Sequence, residues 1–584
     1  MAPPESADPG TQDVVGTGRR LRAVSEPDRR SSRRAFFLGA LLLAALYVPF
    51  LDQAYHIDDR IYLEVARNIL ERPLFPYDFP AAFEGMTAPD AASHSHLPLI
   101  SYYLAPWTAW FGEEHEWLLH LVFLPFPMLA AWGLFQLARP WTQRSEFAPA
   151  LLLTAPAFVV SAHTLMTDVP FLAFWTAAVA AAVRLRDGRG GRWDPWILLG
   201  SLLGAAFLSL LAGGLWLLLV VLPVILPGRN RLGRRWLWIL LTPLLLWFLW
   251  YLLAYFHYDR LVLLNLARHV ADREAFDLAL LGTKALSFVL NLGAVFLFPA
   301  VLWWGLRGPF RTRIALLILL LSAVPFFLVP TSGRWEGVHI ALFCVFLASG
   351  FLVVWEFVCL AFSRQPEDRF LTLWFFGIFA AALFVFYAGS ARYVLAALPP
   401  VILAWMRRAE ALSTGPRGRS AVLWTALLLT ALNGAALAVA DYRFAAVYPR
   451  YASKLLRFYK DPAYTVWYTG EWGFRYYMEK EGARMLLRAD PSPRPGDILV
   501  KPYLALPWVT LVDGDRYSRL LEQVKVEEPF PLRILDFSSH AGFYSTAWGL
   551  LPYSISTGRP WEWFNVFEIT KAYDGPAPEQ PKYF

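Results

Sequence analysis

The sequence predicts an α-helical polytopic membrane protein that carries a small α/β domain at its C-terminal end. Of the 584 residues, 57% are hydrophobic and only 17% are charged, whereas soluble domains carry about 25% charged residues. Long apolar runs recur between residues 35 and 440, and arginines collect in alternate loops between them. This composition excludes a soluble multidomain protein, a disordered chain and a coiled coil. The sequence has only two cysteines, both in one apolar run, and this excludes a small domain stabilised by several disulfide bonds.

The first 34 residues are rich in Pro, Gly, Ser and Arg, which predicts a disordered basic tail. Seven arginines between Arg19 and Arg34 precede the first apolar run, so we expect this tail to stay in the cytoplasm. The run that follows begins late and lacks a small-residue cleavage site. It therefore predicts a retained signal anchor.

Twelve apolar runs make up the predicted transmembrane domain, residues 35–440. The run 196–227 exceeds the length of one crossing, contains Gly213 and Gly214 and has arginines at both ends, so we interpret it as a hairpin of two short spans. The prediction is then about 13 transmembrane helices. The runs are 35–51, 117–138, 147–165, 168–186, 196–227, 236–256, 283–303, 311–329, 337–359, 370–387, 391–406 and 420–440.

Arginine-rich loops stay in the cytoplasm, so residues 52–116 are expected to lie on the outer side of the membrane. We call these residues the first outer loop. Residues 97–112 in this loop are apolar but short, and acidic residues follow them. If they crossed the membrane, all later arginine-rich loops would face outward. We therefore expect an interfacial helix there.

The tail from residue 441 to residue 584 has a different pattern and is predicted to lie outside the membrane. Aromatic and charged residues interleave there, and short β-prone runs occur at 464–468, 497–500, 509–512 and 534–537. A helical stretch, GEWGFRYYMEKEGARM, lies between the first two runs. This pattern predicts a small extracytoplasmic α/β domain.

The first outer loop contains HIDDRIYLEVARNILERP at 56–73, whose apolar spacing predicts an amphipathic helix on the outer membrane surface. Asp58 and Asp59 lie at its N-terminal end, where the helix dipole favours ionised carboxylates. A carboxylate base at the membrane interface suits transfer from a lipid-borne donor to a hydroxyl. The alternative is that one aspartate caps the helix and the other is solvated.

DDRIYLEVAR resembles the DExxYxExAR-like segment of the glycosyltransferases that use lipid-linked sugars. These belong to the GT-C superfamily and include the protein O-mannosyltransferases and the lipid A aminoarabinose transferases. Three further stretches are similar to family motifs in the same order. They are HLPLISYYL at 96–104, TDVPFLAFW at 167–175 and SARYVLAALPP at 390–400.

The resemblance implies inverting transfer of a hexosyl or pentosyl unit from a polyprenyl-phosphate donor to a lipid, glycan or protein hydroxyl. It implies Asp58 as the base, with Asp59 as its acidic partner. His96 and Arg392 occupy outer positions that suit binding of the donor phosphate. The substrate-binding residues that it implies are Tyr62, Tyr102, Asp168 and Tyr393.

Asp168 begins a span and is expected to orient the acceptor or a cation, although it can also be read as the N-cap of the following helix. Asp58 and Asp168 could together hold a divalent cation such as Mg²⁺ or Mn²⁺, and catalysis without a metal is at least as well supported. His94 and His96 lack a nearby third ligand for zinc.

Two departures from the family pattern concern the phosphate site. Leu210 stands where the family usually carries lysine, and Leu97 replaces the first proline of the second motif. Lys284, at the outer start of a span, is a possible replacement. The alternative is that Lys284 extends to the interface without binding the donor.

Two other functions remain open at this stage: a transporter or flippase of lipid-linked saccharide, and an inactive relative that acts as a scaffold. A transporter would carry ionisable residues near mid-membrane, whereas the candidates here cluster at outer ends. The excess of arginine over lysine suggests a GC-rich bacterial genome. We therefore expect an inner-membrane protein with a periplasmic active site and no nucleic-acid partner.

Overall fold

Helices dominate the first three quarters of the chain in the computed structural model. The described residues are 29–83, 85–93, 97–209, 215, 218–219, 235–259, 278–305, 335–386, 388–412, 415–459, 464–487, 493–505, 514–556 and 558–574. The helices are α1 (Arg29–Leu46), α2 (Asp59–Glu71), α3 (Leu99–Phe111), α4 (Glu116–Phe123), α5 (Pro125–Ala138), α6 (Phe147–Thr154), α7 (Pro156–Ser161), α8 (Asp168–Arg186), α9 (Asp194–Ala206), α10 (Arg235–Tyr258), α11 (Leu278–Val295), α12 (Leu297–Gly305), α13 (Gly337–Ala361), α14 (Pro366–Phe384), α15 (Leu398–Leu412), α16 (Gly415–Ala445), α17 (Val447–Phe458), α18 (Trp472–Lys480) and α19 (Gly514–Tyr517).

Seven helical stretches in the described part are long and apolar enough to cross a membrane, so this is a multi-pass membrane protein. They coincide with seven of the predicted runs and confirm the helical fold class. The count of 13 is not reached in the described part, and the turn of the predicted hairpin (Gly213 and Gly214) and the run 311–329 lie outside it. The stretches are Arg30–Phe50, Glu116–Ala138, Asp168–Arg186, Trp236–Tyr258, Leu278–Val295, Gly337–Ala361 and Arg417–Phe458.

The predicted runs 147–165 and 391–406 are each interrupted, and Pro156 explains the first interruption. The run 147–165 divides into α6 and α7 because Ala155, which precedes Pro156, has extended backbone (ψ 127°). In the run 391–406, residues Ala391–Ala397 form a 3-10 helix, and α15 begins only at Leu398. Neither run is therefore a single uninterrupted α-helix.

The 3-10 helix Ala391–Ala397 lies at the centre of the helical domain. It packs against α7, α8, α11, α14 and α15, and Trp374 Nε1 on α14 donates a hydrogen bond to the carbonyl of Ala396 at 3.1 Å. The segment is thus held rigidly by helices from several parts of the chain.

The helices α11 and α13 approach to backbone contact through two glycines. A Cβ on Gly293 would lie 1.8 Å from the carbonyl oxygen of Phe346, and one on Gly350 would lie 1.9 Å from that of Val289. Small residues allow such close approach between membrane helices. The contact fixes α11, which in turn packs against the 3-10 helix.

The helix α2 lies inside the protein, which corrects the expectation that it rests on the membrane surface. Its residues Arg60, Tyr62, Leu63 and Ala66 are all buried, and it packs between α3 and α18 of the C-terminal region. An apolar helix face can be covered by lipid or by protein, and the sequence pattern is the same in both cases. The expected helix within 97–112 is present as α3.

The C-terminal region contains the predicted α/β domain. Its five-stranded sheet has the order β4 (Arg484–Met485), β3 (Val466–Tyr468), β5 (Ile498–Pro502), β11 (Glu562–Ile569) and β6 (Ser518–Val526). The strands β4, β3 and β5 are parallel, and β11 is antiparallel to both β5 and β6. The predicted run 509–512 lies outside the described residues, and α16 extends past residue 440. The strands are β1 (Ala81–Phe83), β2 (Met86–Ala88), β3 (Val466–Tyr468), β4 (Arg484–Met485), β5 (Ile498–Pro502), β6 (Ser518–Val526), β7 (Leu532–Arg533), β8 (Leu535–Asp536), β9 (Ala541–Gly542), β10 (Ser554–Ile555) and β11 (Glu562–Ile569).

Buried charges join this domain to the first outer loop. Arg60 on α2 lies 3.4 Å from the carboxylate of Glu471, and Arg475 on α18 contacts the same carboxylate at 3.3 Å. Arg60 also pairs with Glu64, and Arg475 donates to the carbonyl of Ala82 at 2.5 Å. All three of Arg60, Glu471 and Arg475 are buried, so the charges depend on one another for compensation.

We predict that Glu471→Gln destabilises the protein by about 3 kcal/mol, because two buried guanidinium groups lose their shared counter-ion. Thermal unfolding of the purified protein in detergent measures this loss. The control is Arg519→Gln, which removes an exposed pair with Glu568 and should cost less than about 1 kcal/mol. Equal effects of the two substitutions would contradict a stabilising role for the buried network.

Candidate active site

Asp58 immediately precedes α2 and points toward Arg392. Ile57 before it has a φ of 49°, a conformation that β-branched residues adopt only when the surrounding structure holds them there. The Asp58 side chain makes no capping hydrogen bond to α2. Its Oδ2 lies 3.9 Å from Nη1 of Arg392, and a fifth of the side chain (20%) is exposed. The carboxylate is therefore accessible to a substrate, as a base requires.

Asp59 has a different environment from its neighbour. It is fully buried, and its two oxygens accept hydrogen bonds from the backbone N–H groups of His56 at 2.9 Å and Leu165 at 2.7 Å. Burial raises the pKa of Asp59. Because both oxygens bind backbone groups, we interpret Asp59 as a positioning residue that joins the first outer loop to the segment before α8.

Asp168 and Arg392 form the central ion pair. Arg392 Nη1 donates to Asp168 Oδ2 at 3.3 Å and to the sulfur of Met166 at 2.9 Å. Asp168 is the first residue of α8, where Thr167 occupies the N-cap position and no side chain caps the helix. The alternative reading of Asp168 as an N-cap is therefore not supported. The structure brings together Asp58, Asp168 and Arg392.

The predicted aromatic residues lie at different distances from this centre. Tyr62 is buried about one turn after Asp58 and hydrogen-bonds to Thr167. Tyr393 stacks on Phe386 with ring centroids 4.0 Å apart, and the guanidinium carbon of Arg392 lies 6.0 Å from its ring. Tyr62 therefore lies beside Asp58, Asp168 and Arg392, whereas the ring of Tyr393 packs on Phe386.

Tyr102 lies elsewhere in the outer loop. Its hydroxyl donates to the carbonyl of Pro73, beyond the C-terminal end of α2. A helix of this length is roughly 20 Å long, so the structure does not bring Tyr102 to Asp58.

The predicted phosphate-binding residues other than Arg392 are only partly described. Lys284 on α11 is buried, and its Nζ donates to the carbonyl of Leu383 on α14 at 3.3 Å. This buried contact does not fit the alternative in which Lys284 extends to the membrane interface. His94, His96 and Leu210 lie outside the described residues.

The proposed divalent-cation pair does not fit the arrangement seen here. Asp58 and Asp168 both face the guanidinium of Arg392, which would repel a second cation at that place. In the described ranges, no three His, Cys, Asp or Glu side chains are grouped so that they could hold a metal ion. Arg392 itself supplies the positive charge between the two carboxylates.

A buried polar network behind the site was not predicted. Asp441 on α16 accepts hydrogen bonds from Gln53 Nε2 at 3.0 Å and from the hydroxyl of Tyr544 at 2.9 Å. His56 Nε2 lies 3.6 Å from the same carboxylate. The one signal in the sequence is that Asp441 directly follows a long apolar run, where a charge needs partners.

The sequence matches a known family over part of its length. The sequence model of the family described as dolichyl-phosphate-mannose-protein mannosyltransferase matches residues 93–253. This stretch includes HLPLISYYL and TDVPFLAFW, so the resemblance is confirmed there. No curated protein matches the sequence.

Two solved structures are similar to this one. The first is ArnT from Cupriavidus metallidurans bound to undecaprenyl phosphate, at 16% identity and a TM-score of 0.39, covering 79% of this chain and 87% of that chain. The second is ArnT from the same organism in the apo state, at 16% identity and a TM-score of 0.36, covering 78% and 86%.

We predict that His56 makes a destabilising contribution to the folded protein in mild acid. Burial lowers the pKa of His56 to about 3, whereas an unfolded histidine titrates near 6.5. Between these values the unfolded state binds more protons, so the free energy of unfolding falls as the pH falls. At pH 5 the expected loss relative to pH 7.5 is about 2 kcal/mol.

Thermal unfolding of the wild type and His56→Asn at both pH values checks this prediction. The variant lacks the titrating ring, so the stability of the variant relative to the wild type should be higher at pH 5 than at pH 7.5. Parallel changes in both proteins would show that other groups cause the acid sensitivity.

Proposed function

We propose that this protein is an integral-membrane glycosyltransferase that moves one sugar from a polyprenyl-phosphate donor to a hydroxyl group on the outer face of the membrane. Three observations support this proposal. They are the four motifs in family order, the family match over residues 93–253, and a charged site at helix ends. The observation that carries the proposal is the position of Arg392, whose guanidinium lies between Asp58 and Asp168.

Asp58 acts as the general base. It takes the proton of the acceptor hydroxyl while the hydroxyl oxygen attacks the anomeric carbon from the face opposite the phosphate. The bond between the anomeric carbon and the phosphate oxygen breaks, and the electron pair leaves with the lipid phosphate. The configuration at the anomeric carbon is inverted.

Arg392 stabilises the charge that develops on the leaving phosphate. A guanidinium presents several donors in a fixed plane that matches phosphate oxygens. Asp168 keeps this group in place before the donor binds, and preorganised donors are more effective than mobile ones. His96 and Lys284 are further candidates for the phosphate, although Lys284 would have to leave the Leu383 carbonyl.

The proposed location is the bacterial inner membrane, with the N-terminus in the cytoplasm and the C-terminal domain in the periplasm. The arginine distribution supports this orientation. It places Asp58, Asp168 and Arg392 at the periplasmic side, where a lipid-linked sugar and a lipid, glycan or protein acceptor can meet.

The competing functions make different demands on these residues. A flippase of lipid-linked saccharide moves its substrate without breaking a bond, so it needs no base. A scaffold needs neither a base nor a bound phosphate. The partly exposed carboxylate beside the guanidinium favours a transferase over both.

We predict that Asp58→Asn abolishes sugar transfer, at least about 100-fold, and leaves donor binding within a few-fold. The purified protein is incubated with radiolabelled polyprenyl-phosphate sugars and a total membrane extract as acceptor. The donor that supports transfer identifies the sugar.

The matched control is Asp52→Asn, which changes an exposed carboxylate in the same loop that hydrogen-bonds to Tyr442. It should retain transfer. If no donor supports transfer by the wild type, while both it and Asp58→Asn bind the donor tightly, the protein is not a transferase. A flippase would then be tested with the same donors in sealed vesicles.

We also predict that transfer persists in excess EDTA, because Arg392 supplies the cationic charge between Asp58 and Asp168. The wild-type assay is repeated after chelation and dialysis. A loss of activity that Mg²⁺ or Mn²⁺ restores would instead place a divalent cation among the reacting groups.

A further inference from the structure

The C-terminal domain reaches the segment that presents Arg392. The carbonyl of Phe543 accepts hydrogen bonds from Ala391 N at 2.9 Å and from Ser390 Oγ at 3.0 Å. Thr546 N donates to the carbonyl of Gly389 at 2.9 Å, and Gly389 N donates to Thr546 Oγ1 at 3.1 Å. Two backbone–backbone hydrogen bonds and two bonds to side-chain hydroxyls thus join residues 389–391 to residues 543–546.

Gly389 is held between this domain and α11. A Cβ at Gly389 would lie 1.7 Å from Oγ of Ser287 and 2.8 Å from Cγ2 of Thr546. No side chain fits at this position, so the backbone that leads to Arg392 can pass only because the residue is glycine. The backbone position of Arg392 is therefore fixed from two sides.

Tyr544 fixes the side chain of Arg392 as well. The guanidinium carbon lies 5.7 Å from the centre of the Tyr544 ring, within the range of a cation–π contact. The ring is buried, and its hydroxyl donates to Asp441 at 2.9 Å. Because Asp441 holds the hydroxyl, the ring stays in one orientation beside the guanidinium.

We propose that Tyr544 is a positioning residue, through which the C-terminal domain orients Arg392 toward the leaving phosphate. The inference rests on the proposed function, since it assigns the domain a part in that same site. Arginine has a long side chain with many rotamers. A buried ring on one side and Asp168 on the other restrict those rotamers before the donor arrives.

The ring and the hydroxyl of Tyr544 have separable effects. Tyr544→Phe keeps the ring beside Arg392 and removes only the bond to Asp441. Tyr544→Leu removes the ring itself. We expect Tyr544→Leu to lower kcat/KM for the donor roughly tenfold and Tyr544→Phe to lower it about twofold.

Tyr553→Leu is the matched control. Tyr553 is also buried in the C-terminal region, and its hydroxyl accepts a hydrogen bond at 3.1 Å from Asn433 on the membrane helix α16. Loss of this ring should reduce stability as Tyr544→Leu does and leave kcat/KM within about twofold.

A double-mutant cycle on binding separates positioning from a general structural effect. The affinity for polyprenyl phosphate without sugar is measured for the wild type, Tyr544→Leu, Arg392→Gln and the double variant. We expect Tyr544→Leu to weaken binding roughly tenfold when Arg392 is present and by less than about twofold when it is absent. The same loss in both backgrounds overturns the proposal.

The cycle does not depend on turnover. If the wild type transfers no sugar from any donor, the proposed function fails, and the binding cycle still decides whether Tyr544 acts through Arg392. If Tyr544→Leu does not fold, Tyr544→Met takes its place in the cycle, because it also removes the ring and fills more of the buried volume. An unchanged affinity in that variant also overturns the proposal.

Discussion

The arrangement of the site depends on one buried carboxylate. Asp59 accepts backbone hydrogen bonds from His56 and from Leu165, and so fastens the first outer loop to the segment before α8. A buried carboxylate is costly unless donors surround it, so these segments have to remain together. Asp58 adjoins one of them and Asp168 the other. Their separation, and hence the space that Arg392 occupies, follows from this contact.

The helix α2 is held from two sides, and one of these sides is the C-terminal domain. This domain therefore affects the position of the candidate active site. At its start, Asp59 binds the segment before α8, while Arg60 binds Glu471 of the C-terminal domain. The same domain is hydrogen-bonded to residues 389–391 through Phe543 and Thr546. The start of α2, the start of α8 and the 3-10 helix supply the charged groups, and the C-terminal domain restricts where two of these segments lie.

Patterns among neighbouring residues in the sequence predicted the features that depend on neighbouring residues. Apolar length and arginine placement predicted most of the helices, and the motifs pointed to Asp58, Asp168 and Arg392. The roles of Asp441 and Tyr544 were not predictable, because contacts between residues so far apart leave no periodic signal. The burial of α2 was missed because the sequence does not show whether lipid or protein covers an apolar face. Pro156, by contrast, was a readable break in a predicted span.

The pairing of Arg60 with Glu471 also concerns the order in which the chain is made. The two residues are 411 positions apart, so at 5–20 residues per second the ribosome needs roughly 20 to 80 seconds to reach the second after the first. For that time Arg60 has to remain solvated, or pair with Glu64 alone, while the membrane helices insert. The first outer loop of the nascent protein therefore lacks its buried partner until Glu471 has been made.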